Sequence, residues 1–171
     1  MKNIVGKRIL IIGCPGSGKT TLALSLQAIT GLPLYHLDAI WHKPDRTHIS
    51  REAFDARLAD ILASEEWIID GNYSRTVERR LVACDTVILF DLPTEVALRG
   101  AISRLGKPRL DLPWCDTSLD PALGSEIEEF SIKNLPTLYT LIEKYKHEKN
   151  VIILKSHAEA SRFLETLNVA R

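Results

Sequence analysis

A chain of 171 residues in which 22 Lys and Arg meet 22 Asp and Glu has the length of one ordinary domain, and its balanced charge argues against a life on nucleic acid or an anionic membrane. Its three cysteines, Cys14, Cys84 and Cys115, are odd in number and lack metal-ligand spacing, so they read as reduced thiols in a cytoplasmic protein. No apolar stretch approaches bilayer length, and Met1-Lys2-Asn3 runs straight into the first strand with no room for a signal peptide.

The apolar run Arg8–Ile12 predicts a buried strand, and Leu22, Leu26 and Ile29 at helical spacing predict a helix over 21–29. Between them Gly13-Cys14-Pro15-Gly16-Ser17-Gly18-Lys19-Thr20 satisfies the phosphate-binding pattern G-x-x-x-x-G-K-[ST] in full. Glycines there let successive N–H groups turn inward around an oxyanion, and the helix N-terminus adds about half a positive charge. Residues Gly13 to Thr21 are therefore the candidate nucleotide-binding stretch. Lys19 is placed to reach β- and γ-phosphates, and the Thr20 hydroxyl to ligate Mg²⁺.

Gly31 then stops the helix, and Leu34–Leu37 predicts a short strand. Residues 38–48 are polar and predict an irregular segment. A helix from about Ser50 shows Phe54, Leu58, Ile61 and Leu62 on one face. Trp67–Ile69 predicts a third strand ending at Asp70-Gly71, with a helix over 75–82 beyond it. Thr86–Phe90 predicts a fourth strand ending at Asp91, and Pro93-Thr94 starts the next helix, through Arg104.

The texture changes over 106–124, which has prolines, glycines and scattered charges but no period. A structureless stretch that long is the mark of a lid or mobile loop. Helical pattern resumes near Ser125, broken at Pro136, with Leu138, Ile142 and Tyr145 forming a stripe afterwards. Val151–Leu154 predicts the last strand, and Ser156-His157-Ala158-Glu159 is a capping box for a final helix. Short apolar strands alternating with helices imply an α/β fold: a five-stranded parallel sheet covered on both faces. Ligands in such sheets sit beyond the carboxyl ends of the strands. That rule selects the phosphate loop, Asp38, residues 70–75, Asp91 and the turn at Lys155-Ser156.

Four segments carry a family resemblance. Gly13–Thr20 together with Trp67-Ile-Ile-Asp70-Gly71-Asn-Tyr-Ser-Arg75-Thr76 resembles adenylate kinase and its small P-loop kinase relatives, with Asn72-Tyr73-Ser74 in place of the usual Phe-Pro. Adding Tyr35-His36-Leu37-Asp38 and the Gly-Lys-x-Arg-x-Asp run at 106–111 makes the chain similar to bacterial proteins labelled "DNA topology modulation protein". The resemblance implies one P-loop NTPase domain over 1–171 with a short lid at 106–124. It also implies ATP and Mg²⁺ as cofactors, and transfer of the γ-phosphoryl group to a small molecule or nucleotide acceptor.

Within that frame Asp70 would hold a Mg²⁺-bound water, or simply start the Asp-Gly turn. Asp38 matches the acid that meets the acceptor in shikimate and gluconate kinases, where it would take or position the hydroxyl proton; a helix or turn cap is the other reading. Arg75 matches the family arginine that grips the acceptor. Arg104 and Arg109 would close over the triphosphate as planar forks. Asp91 reads as structural. His36, His42 and His48 recur every six residues, which suits no compact ligand set, so they read as surface or acceptor-pocket residues. Trp41 and Tyr73 could sandwich a planar base or pack as ordinary core. A second class of function is a nucleotide-binding regulator whose output is a partner contact, with DNA as one candidate partner. No Asn-Lys-x-Asp run marks a guanine reader, and no signal sets the oligomeric state.

Overall fold

The computed structural model describes residues 5–169. Five parallel strands, β1 (Arg8–Gly13), β2 (Leu34–His36), β3 (Trp67–Asp70), β4 (Thr86–Phe90) and β5 (Asn150–Leu154), form one sheet in the order β2-β3-β1-β4-β5. Leu10 of β1 lies beside Ile69 on one side and Val87 on the other, so the central strands are apolar throughout. Alternate side chains serve opposite faces: Leu10, Ile12, Ile69, Val87 and Leu89 pack into one core, and Ile9, Ile11, Ile68, Ile88 and Phe90 into the other.

Helices α1 (Lys19–Thr30) and α8 (His157–Val169) cover the second core, through Leu22, Leu26, Ala160 and Leu167. The first core is covered by α3 (Arg51–Ala63), α4 (Ser74–Ala83), α5 (Thr94–Ser103), α6 (Pro121–Lys133) and α7 (Leu135–Tyr145), which bring Phe54, Leu81, Ala97, Ile127 and Leu138 to it. The expected five-stranded parallel sheet with helices on both faces is the fold observed. Among the described residues no helix is long and apolar enough to cross a membrane, and all three cysteines are free thiols.

Two stretches differ from expectation. The second strand ends at His36, because Leu37 is fully buried and opens a five-residue helix, α2 (Leu37–Trp41), whose last turn is closed by the His42 amide on Asp38 O. One turn is too short for periodicity to announce. Beyond it His42 and His48 form an antiparallel bridge, so 42–48 is a tight loop rather than an irregular run. The second difference is the end of the aperiodic stretch. Helix α6 begins at Pro121, with the Asp120 carboxylate accepting the Ala122 amide at 2.9 Å, so Gly124 is helical. An aspartate N-cap followed by proline at the first helical position is a strong start signal, and a glycine four residues later masks it. The other caps follow the sequence. The Gly31 amide closes α1 on Gln27 O, Ser50 caps α3, and Ser156 accepts the Glu159 amide at 3.1 Å.

Candidate functional site

The loop between β1 and α1 is built by exclusion of side chains. Gly16 and Gly18 have φ of 81° and 99°, a region L side chains rarely adopt. A Cβ on Gly16 would stand 2.1 Å from Ala97 O, and one on Gly100 would stand 2.0 Å from Gly16 O. Gly100 in α5 thus lets the loop backbone seat directly on that helix. Below the loop, Asn72 Oδ1 accepts the Gly13 amide at 3.1 Å, and His157 donates from Nε2 to Ser17 O at 2.9 Å. The amides of Lys19, Thr20 and Thr21 open α1 and have no intrahelical acceptor.

Two cavities meet at this loop. The smaller, about 390 Å³, lies between α1, α5 and α8, with Phe90, Leu22 and Leu164 giving it an apolar wall beside Thr21, Ser103 and His157. The larger, about 720 Å³, lies over the tips of β2 and β3. Gly16, Lys19, Thr20 and Arg104 line both. Pro15, Asp38, Asp70 and Arg109 line the larger alone. Of the predicted stretch, Gly13, Cys14 and Ser17 support the loop from beneath. Burial pushes the Cys14 thiol up to about 11, and its Sγ points at Ile127 O.

Charge chemistry converges on Asp70. Its Oδ2 accepts the Thr20 hydroxyl at 2.9 Å and lies 3.0 Å from His36 Nδ1. Its Oδ1 is buried with no hydrogen-bond partner among the described residues. Burial alone would depress the His36 imidazolium; the hydrogen bond and charge of Asp70, with Asp111 and Asp38 behind it, outweigh that and raise its pKa. Lys19 Nζ donates to Gly13 O at 3.0 Å and Cys14 O at 2.9 Å, and burial lowers its pKa against the pull of Asp70 and Asp38. Among the described residues no three His, Cys, Asp or Glu side chains converge on a metal position.

The wall opposite is assembled from scattered side chains. Tyr73 takes the left-handed conformation, with φ of 39°, and its hydroxyl donates to Asp38 Oδ1 at 2.8 Å. Burial, then the Asp38 charge, drives the phenol pKa far up, so it stays a donor. The Tyr73 ring stacks on Phe54 at 5.1 Å and meets Trp41 edge-on at 6.2 Å, so no base fits between Trp41 and Tyr73; core packing is what they do. Arg109 forms a bidentate pair with the buried Asp111, and Arg104 stands beside it with Nε unpartnered. The Asp91 carboxylate accepts the Tyr139 hydroxyl at 2.6 Å and ties α7 to the sheet, a structural role.

Arg75 is a correction. It is exposed on the outer face of α4, held bidentate by Asp55 at 2.6 and 2.9 Å, and lines neither cavity. Arg75 lies in the first turn of α4, on the side that faces Asp55 and solvent. A different arginine serves this loop. Arg80, fully buried, donates to Gly71 O, Asn72 O and Tyr73 O. Burial pushes its pKa down to about 9, which still leaves it protonated at neutral pH. No sequence signal separates Arg80 from the exposed arginine beside it. Glu126 of α6, which lines the larger cavity near Asp38, was equally silent, because a lone glutamate within an expected helix carries no motif.

No protein-family model matches the sequence, and no curated protein matches it. Solved structures do. A shikimate kinase from Bacteroides thetaiotaomicron aligns over 94% of this chain and 98% of its own at 17% identity, with a TM-score of 0.55. A gluconokinase from Sinorhizobium meliloti 1021 aligns over 99% of both chains at 16% identity, with a TM-score of 0.51. The chain has the fold of the small P-loop kinases, of adenylate-kinase-like arrangement.

Proposed function

We propose that this protein is an ATP–Mg²⁺-dependent phosphotransferase that moves the γ-phosphoryl group to a small hydroxyl compound, nucleoside or nucleotide. The observation that carries it is the wall of Gly16, Lys19, Thr20 and Arg104 shared by two cavities, one apolar and one rich in carboxylates. A nucleoside in the smaller cavity and an acceptor in the larger would place the transferring phosphoryl group on that wall. The reading also draws on the resemblance to "DNA topology modulation" proteins. The segments 35–38 and 67–73 that carry it are joined by the His36–Asp70 and Tyr73–Asp38 contacts, and 106–111 lines the same cavity through Arg109 and Asp111.

Thr20 and Asp70 would hold Mg²⁺, and the unpartnered Asp70 Oδ1 fits a metal-bound water. The ion, when bound, supplies neutralisation of charge on the β- and γ-phosphates. Lys19 and Arg104 complete that neutralisation from the protein side. Asp38, with Oδ1 held by Tyr73, keeps Oδ2 to accept the hydroxyl proton. Residues 104–120 act as the lid that keeps water from the phosphoryl group. The cytoplasm, where ATP is supplied, is the compartment this reading requires.

The test is ADP release against Mg–ATP across nucleosides, nucleotides and small sugars or acids, with Lys19→Ala alongside. Acceptor-dependent release that Lys19→Ala abolishes supports transfer. Mg–ATP binding with no acceptor-dependent release, and affinity for DNA that falls with salt, would assign the regulator reading instead.

A further inference from the structure

Resting on the phosphotransferase reading, the charges of the larger cavity narrow its substrate class: we infer that the acceptor is an alcohol carrying a basic nitrogen, as in an amino sugar or amino alcohol, and not an organic acid or a phosphate ester. Six carboxylates and four cations line this cavity. Two of the cations, Lys19 and Arg104, also line the smaller cavity and are committed to the phosphates. Arg109 is consumed by its bidentate pair with buried Asp111. Arg46 has its guanidinium over the Trp114 ring at 5.2 Å and 3.9 Å from Asp116. His36, whose pKa is raised, is taken by Asp70. Among the described residues every cation that lines this cavity is therefore already engaged.

The carboxylates divide the other way. Asp70 is engaged by Thr20 and His36, Asp111 by Arg109, and Asp116 by Arg46 and the Trp114 indole N–H. Asp38, Glu126 and Asp120 have no ion-pair partner among the described residues, and all three face the cavity. Burial by the cavity walls raises the Glu126 carboxyl, Lys19 opposes the rise and Asp38 adds to it. An ammonium group seated against Glu126 relieves that tension; a carboxylate or phosphate aggravates it.

In the step itself the acceptor oxygen bonds to the γ-phosphorus and the bond from that phosphorus to the β,γ-bridging oxygen breaks. ADP leaves with the bonding pair, and the hydroxyl proton passes to Asp38 Oδ2. The nitrogen takes no part in bond making and serves only to seat the acceptor against Glu126.

The experiment compares acceptors matched in skeleton and different in charge: glucosamine, glucose and gluconate in one set, ethanolamine and glycolate in a second, adenosine and AMP in a third. Mg–ATP affinity is measured separately by calorimetry. Glucosamine should exceed glucose in kcat/KM by about tenfold and gluconate by about a hundredfold, ethanolamine should exceed glycolate by about a hundredfold, and neutral adenosine should exceed AMP by about tenfold, since like charges juxtaposed at a site exclude wrong partners. Glu126→Gln should bring the glucosamine-to-glucose ratio towards one. Faster turnover of gluconate or AMP than of the amine-bearing probes overturns the inference. So does failure of every amine-bearing probe in a protein that binds Mg–ATP, or an unchanged ratio in Glu126→Gln. Absence of Mg–ATP binding would instead remove the phosphotransferase reading, and the inference with it.

Discussion

The two sides of the site are built by opposite means. The phosphate loop is made of backbone, with Gly16 and Gly100 in such close apposition that neither has room for a methyl group. The acceptor wall is made of side chains from three distant segments, two of them joined by Tyr73–Asp38 and His36–Asp70 and the third braced within itself by Arg109–Asp111. A surface that must present N–H groups to an oxyanion has few sequence solutions, whereas one that recognises a particular molecule has many. The first is rigid and general, the second adjustable and specific.

Substitutions should separate the two sides. The largest effect is expected from Lys19→Ala, which removes the cation nearest the transferred charge: kcat should fall by about 10² to 10³-fold with circular dichroism and Tm unchanged. Gly100→Ala breaks the same side from behind. Its Cβ would meet Gly16 O at 2.0 Å, so a loss of about 3 kcal/mol in denaturant stability is expected, together with weaker Mg–ATP binding in calorimetry.

Effects on the acceptor side should be smaller and confined. Asp111→Asn weakens the pair that orders residues 104–120, costing about 2 kcal/mol locally, read as faster proteolysis within that segment. Burial would raise the Asp111 carboxyl, yet the hydrogen bond and charge of Arg109 prevail and hold it below its ordinary value. Its contribution is therefore present above the unfolded carboxylate pKa of about 4 and is lost as pH falls through the lower folded value. The wild-type segment should become protease-sensitive in acid below about pH 4 while the Asn variant is already so at neutral pH. Tyr73→Phe leaves Asp38 Oδ1 without its donor, and about a fivefold to tenfold drop in kcat is expected, with Mg–ATP affinity unaltered. Arg75→Ala should do least: kcat within assay error of wild type, because the side chain faces Asp55 and solvent. A large loss of kcat there would reinstate the acceptor role that the resemblance implied.

This contrast also explains how much could be read without coordinates. Five strands and the phosphate loop were legible because both obey strict patterns, apolar runs of strand length and fixed glycine spacing. The strand-tip rule picked out Asp38 and Asp70 correctly as cavity residues. Helix α2 was hidden by its length, and the start of α6 by Gly124; Glu126 lay in the expected helix but carried no motif to single it out. Arg75 and Arg80 differ in the direction each leaves one short helix, which residue type alone does not announce. Gly100 gave no warning at all, since its partner lies 84 residues earlier in the chain.

The most direct test of the central claim is a crystal structure with Mg²⁺ and a non-hydrolysable ATP analogue. The account expects the nucleoside beside Thr21 and His157 in the smaller cavity and the terminal phosphate against Lys19, facing Asp38. An analogue seated in the larger cavity, or phosphates that leave the loop amides untouched, would contradict it.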